Sequence, residues 1–180
     1  MSLWIWVLML GAVLAGAGVA AWMYPARFAS ALRAFPRDRR AAWLLSAAAL
    51  AGAAWVARDL PSGRLAFLRS WLWPLTGVLW VLVNRYMDEL LAPRALGGLL
   101  LLAAAPLLHA VRMHVSGWSR VPAGLAYLAV VAGVLLVLGP YHFRRAVAPW
   151  TAAPDRLRRA GGVLTGLGLA MAGFALGVLR

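Results

Sequence analysis

The sequence predicts an all-α, polytopic transmembrane bundle of about six spans, and three observations carry that expectation. Of the 180 residues, 64% are hydrophobic and 13% charged, roughly half the charged share of a typical soluble domain, too little to cover a surface facing water. The apolar residues gather into blocks near the roughly 20 residues that cross a hydrocarbon core as helix, without the amphipathic period or strict alternation of a soluble fold. The arginines fall between the blocks, where the loops of membrane proteins concentrate them.

Taken in order, the blocks are 3–23, 41–57, 65–83, 95–111, 123–138 and 160–179, and residues 1–180 read as one integral membrane domain. The first block has no positive residue before it and exceeds a typical signal-peptide core, so it is expected to remain as a span. The shorter blocks are flanked by arginines whose long side chains can reach the headgroups. The third block is the weakest. It contains Arg69 and Pro74, and an arginine at the centre of a span costs about 2.5–3.5 kcal/mol on insertion scales, less near its end.

Orientation follows from the loop arginines. With the N-terminus outside, the inner loops hold Arg27, Arg33, Arg37, Arg39, Arg40, Arg85, Arg94, Arg144, Arg145, Arg156, Arg158 and Arg159. The outer side holds Arg58, Arg64, Arg69, Arg112, Arg120 and Arg180. Twelve against six places both termini outside. Trp4, Trp6, Trp55, Trp71 and Trp118 then fall near the outer interface, and Trp22, Tyr24, Trp43, Tyr86, Tyr141 and Trp150 near the inner one, as aromatic belts do. Every basic Lys/Arg position is Arg, and Ala, Leu and Gly dominate. That bias points to a GC-rich bacterial coding sequence and hence to the bacterial plasma (inner) membrane.

Two hairpins share a pattern. Pro25, Phe28, Ala31, Leu32 and Phe35 after the first span match Pro140, Phe143, Ala146, Val147 and Trp150 after the fifth, at identical spacing, and each set is followed by a proline and a basic run. Hairpins 1–57 and 123–179 are therefore a candidate internal repeat; shared composition is the simpler alternative.

Four features could carry function. Residues 26–35 place Phe28, Leu32 and Phe35 on one helical face with Arg27 and Arg33 turned away, a candidate lipid-facing interfacial helix. Phe143 and Trp150 belong to the matching segment, which Pro149 is expected to shorten. The plainer reading is an amphipathic connector with no specific ligand. Asn84, Arg85, Asp88, Glu89 and Arg94 form the densest polar cluster, and with Arg69 they are the candidate transport site. Pairing at a helix end is the alternative, because charges at a membrane boundary are cheap. Gly162, Gly166, Gly173 and Gly177, with Ala170, form a small-residue row, as do Ala12, Gly16 and Ala20, suited to packing inside the chain or against another subunit. His109 and His114 are five apart and His142 is assigned to the other membrane side, so no bis-histidine site is expected.

No metal site, cofactor or catalytic residue is predicted. The chain has no cysteine and no H-E-x-x-H, G-x-S-x-G or P-loop motif. Its net charge of +13 is accounted for by positive inner loops, so nucleic acid is not an expected partner. The expected partners are the bilayer, anionic lipids at the cytoplasmic face, and a membrane protein or a second copy. The leading expectation is a non-catalytic structural or accessory subunit of a membrane assembly. The alternative is a small transporter or channel using Asn84, Asp88 and Glu89. A lipid-modifying enzyme ranks third, since no acid, base and metal constellation is visible.

Overall fold

Hydrocarbon offers no hydrogen-bond partner to a peptide group, so a segment that crosses a bilayer must satisfy its own backbone, and a helix does so within one segment. The structure is a computed structural model that describes residues 3–58, 68–87, 90–113 and 120–178. Among these the regular elements are all helical: α1 Leu3–Met23, α2 Pro25–Ala34, a single 3₁₀ turn Phe35–Arg37, α3 Arg39–Arg58, α4 Leu68–Tyr86, α5 Leu91–Arg112, α6 Arg120–Leu138, α7 Tyr141–Thr151 and α8 Pro154–Gly177. Helices α1, α3, α5, α6 and α8 are each long and apolar enough to cross a membrane. The chain is a membrane-embedded helical bundle.

The remaining expected span, the third block at 65–83, corresponds to α4, which falls below the other five in length and apolarity combined yet runs antiparallel along α3. At one end the Arg69 guanidinium donates to the Arg58 carbonyl, with 2.8 Å from Nε and a second bond from Nη2. At the other end Asn84 reaches Ser46. Arg69 and Asn84 are fifteen residues apart, about 22 Å along a helix axis, so α4 covers nearly the same thickness as its neighbour. Its two arginines, Arg69 and Arg85, sit in its terminal turns, where they can reach headgroups. Pro74 lies inside it and is accommodated as prolines are in membrane helices.

Helix starts follow local chemistry. Asp38 Oδ1 accepts the backbone N–H groups of Arg40 at 2.9 Å and Ala41 at 3.4 Å, capping α3. Pro25 and Pro154 occupy the first turns of α2 and α8, where the missing N–H is no loss. Pro93 in the first turn of α5 explains why that helix begins at Leu91, ahead of the expected 95. Leu90 turns the chain into α5 with a left-handed φ of 58°. Helix α7 is longer than Pro149 suggested. It continues to Thr151, whose hydroxyl donates to the Val147 carbonyl at 3.2 Å and so satisfies a group in the last turn.

Close helix contacts are made through glycine. An added Cβ on Gly18 would lie 2.5 Å from Thr165 N and 2.7 Å from Gly161 O, and one on Gly161 would lie 2.7 Å from Trp22 N. Gly11 and Gly168 face each other in the same way, so α1 and α8 pack antiparallel with backbones touching. Gly97 and Gly133 do this between α5 and α6, each 2.7–2.8 Å from the other's carbonyl. The two pairs meet in a buried cluster of Leu3, Val7, Leu107, Ala126 and Ala175.

The expected small-residue rows are therefore not the ones that pack within the chain. Gly162, Gly166, Gly173, Gly177 and Gly16 have nothing among the described residues within 4 Å of a built Cβ. The contact runs along Gly11 and Gly18 against Gly161 and Gly168, a seven-residue spacing. A four-residue row drifts around the helix and leaves the seam, whereas a seven-residue repeat stays on it.

Candidate functional site

Helices α2 and α7, the two amphipathic segments, pack against each other and against the start of α8. Phe28 and Leu32 cover a buried cluster of Ala21, Ala29 and Leu157. Phe35 packs on Ala42, Leu91 and Ala92, and its ring meets Phe143 with centroids 5.1 Å apart and planes tilted by 43°. Phe28, Leu32, Phe35 and Phe143 are half-buried and Trp150 is exposed. The aromatic face thus looks onto protein and onto a cavity, while Arg27 and Arg33 are exposed as the helical spacing implied. The Arg27 guanidinium lies 5.8 Å from the Tyr24 ring centre.

That cavity, about 790 Å³, is walled by Phe28, Leu32, Val147, Trp150, Val163 and Leu164 and by Arg156 and Arg159. From Arg156 to Leu164 it follows α8 for eight residues, about 12 Å. Beside it is a second cavity of about 700 Å³ with a different lining: Arg33, Arg144, Arg145, Tyr141 and Thr151 contribute to its wall. Leu32 and Val147 line both, so the two are neighbours, one apolar and one basic.

None of these five arginines forms an ion pair among the described residues. Arg33 Nε donates to the Ala29 carbonyl at 3.3 Å and Arg159 Nε to the Asp155 carbonyl at 3.4 Å, bonds within their own helices. No carboxylate is among the described residues lining either cavity. An apolar slot bordered by unneutralised guanidinium groups can hold a hydrocarbon chain and an anionic head together, because guanidinium binds phosphate through a planar fork of donors.

A smaller polar site lies between α3 and α4. Asn84 is 5% exposed. Its Nδ2 donates to Ser46 Oγ at 3.1 Å and to the Trp80 carbonyl at 2.8 Å. Because the Trp80 carbonyl can only accept, the amide orientation is fixed, and Asn84 Oδ1 is left buried with no partner among the described residues. Trp80 Nε1 donates to the Trp43 carbonyl at 3.2 Å, and the two indoles meet edge to face at 4.8 Å. Asn84 lines a cavity of about 250 Å³ with Arg37, Asp38, Arg39 and Trp43. Arg94 Nε is also buried without a hydrogen-bond partner among the described residues.

The polar cluster read from the sequence is only partly assembled. Arg69 is at the opposite end of α4 from Asn84, tied to α3. Arg85 is exposed. Asp88 and Glu89 lie outside the described residues, as does His114. His109 is on α5, and His142 on α7 rests on the Tyr141 ring at 4.2 Å.

Sequence reasoning missed Arg144, Arg145, Arg156 and Arg159 as parts of one site, counting them only as loop charges. It also missed Ser46 and Trp80 as partners of Asn84. The available signal was the matched spacing of the α2 and α7 segments, which put two amphipathic helices at the same end. No family model, curated protein or solved structure matches this chain.

Proposed function

We propose that the chain is a non-catalytic protein of a bacterial inner membrane, with both termini outside, that holds an anionic lipid between α2, α7 and α8 as a structural or accessory part of a membrane assembly. One observation carries the lipid reading: an apolar cavity of about 790 Å³ bordered by Arg156 and Arg159 adjoins a basic one bordered by Arg33, Arg144 and Arg145. The arginine-rich end would face the cytoplasmic leaflet, where anionic lipids attract basic groups at about 1 kcal/mol each. The non-catalytic reading rests on the sequence, which offers no nucleophile, base and metal set.

The test is lipid binding by the purified protein in neutral detergent. Phosphatidylglycerol should raise the thermal midpoint and phosphatidylcholine should not. Replacing Leu32 and Val163 by tryptophan, which fills the apolar slot, should abolish the shift while the protein still melts cooperatively. Equal response to both lipids would remove the reading.

A second reading, a small transporter, is favoured by buried Asn84, which lines a polar cavity and whose Oδ1 has no hydrogen-bond partner among the described residues. It requires that Asn84→Leu abolish flux in reconstituted vesicles; flux that survives this change would exclude it.

A further inference from the structure

The two adjoining cavities limit the ligand further than charge alone does. A lipid with one phosphate needs one cluster of guanidinium groups at the end of one apolar slot. Here the arginines form two clusters. Arg156 and Arg159 belong to the apolar cavity, at the α8 end where a tail lying along Val163 and Leu164 would have its head. Arg33, Arg144 and Arg145 belong to the second cavity, which lies beyond Leu32 and Val147 and is about as large as the first. Neither cluster has a carboxylate among the described residues of its walls, so a single phosphate at one of them leaves the other uncompensated.

Resting on the lipid-binding reading above, we propose that the ligand is a lipid carrying two phosphates. The first is held by Arg156 and Arg159 and the second by Arg33, Arg144 and Arg145, on either side of Leu32 and Val147. The hydrocarbon occupies the apolar cavity. The chemistry is two phosphoryl groups set apart on one amphiphile, as in a glycerol-bridged diphospholipid; a polyprenyl diphosphate, whose two phosphorus atoms share one oxygen, can fill only one of the clusters.

The two clusters predict different mutational signatures. The full-length protein in neutral detergent is titrated with phosphatidylglycerol, diphosphatidylglycerol and a polyprenyl diphosphate, with phosphatidylcholine as blank. Diphosphatidylglycerol should bind about tenfold or more tightly than phosphatidylglycerol, as expected for several added charge-assisted hydrogen bonds. The polyprenyl diphosphate, confined to the first cluster, should respond to the variants as phosphatidylglycerol does. The triple variant Arg33→Gln, Arg144→Gln, Arg145→Gln should reduce diphosphatidylglycerol to about the affinity of phosphatidylglycerol and weaken phosphatidylglycerol far less. The double variant Arg156→Gln, Arg159→Gln should weaken all three together. All five side chains are exposed, so folding is expected to survive, and a tryptophan-fluorescence melt checks it. Equal affinity for one and two phosphates, or a triple variant that weakens every lipid alike, overturns the two-phosphate proposal and leaves lipid binding standing. Affinities no better than for phosphatidylcholine overturn lipid binding itself.

Discussion

Replacing Gly168 by alanine places a methyl carbon 2.6 Å from the Gly11 carbonyl oxygen and 2.8 Å from Ala15 Cα, and against Ala15 N as well. Carbon contacts are comfortable at about 3.5–4.0 Å, so α1 and α8 must separate by about 1 Å along part of their seam. Overpacking of this kind costs about 1–3 kcal/mol. Alanine is also the better helix former, by about 0.8–1.0 kcal/mol in a helix interior, and that gain is common to any glycine on α8. Gly166, two residues away, has nothing among the described residues within 4 Å of its built Cβ and so receives the gain without the clash. The comparison between Gly168→Ala and Gly166→Ala cancels the propensity term and isolates the seam. Gly168→Ala should be less stable than Gly166→Ala by about 1–3 kcal/mol, and Gly166→Ala no less stable than the parent. Equilibrium unfolding in mixed micelles, followed by the fluorescence of the chain's 10 tryptophans, measures both. Equal stability of the two variants would refute the assignment of the seam to Gly11, Gly18, Gly161 and Gly168.

Three other outcomes are expected. Asn84→Ala removes two interhelical or helix-end hydrogen bonds and should destabilise by about 1 kcal/mol, within the range measured for polar pairs between membrane helices; Ser46→Ala in the same background should add little, because it removes the same bond. Asp38→Ala deletes the α3 cap and should cost about 1 kcal/mol, read as a lower unfolding midpoint that Asp38→Asn largely restores. Since the chain contains no cysteine, a single Ser30→Cys on α2 reports topology: an impermeant maleimide should label it only after the inner membrane is opened, and labelling in intact cells would reverse the proposed orientation.

Sequence sufficed where solvent decides the structure. Helix α1 has the predicted bounds because its apolar block is also the whole helix. Helix α8 begins at Pro154, six residues before the apolar block at 160, because a helix started by proline and Asp155 can run through the headgroup zone on arginine side chains. The Arg69 and Pro74 segment reads poorly by hydropathy alone, but partners on α3 at both of its ends give it a place. Packing was less legible. A row of glycines at four-residue spacing attracts the eye, yet which face of α8 meets α1 depends on the partner helix, which composition cannot register. In the candidate site, the apolar residues Phe28, Leu32 and Trp150 were visible as amphipathic faces. Their convergence with Arg144, Arg145, Arg156 and Arg159 was not, because it depends on how α2 and α7 dock.

That docking has an electrostatic consequence of its own. The chain carries 18 arginines and 5 acidic residues, and among the described acids Asp38 is committed to capping α3. Packing α2 on α7 brings Arg33 and the pair Arg144 and Arg145 around one cavity, where like charges oppose the fold. In neutral detergent, added sodium chloride screens that repulsion and should raise the unfolding midpoint. With a bound anionic lipid the dominant interaction becomes attractive, and the same salt should lower the midpoint instead. Raising ionic strength from 0.01 M to 0.1 M shortens the Debye length from about 30 Å to about 10 Å, enough to act on groups at the cavity rim. The sign of the salt effect should therefore reverse on adding the lipid, and should not reverse in the Arg33→Gln, Arg144→Gln, Arg145→Gln variant with a two-phosphate lipid. In the parent, a midpoint raised by salt with and without lipid would mean that these arginines meet no anion there, and one lowered in both would mean that they do not repel one another across the cavity.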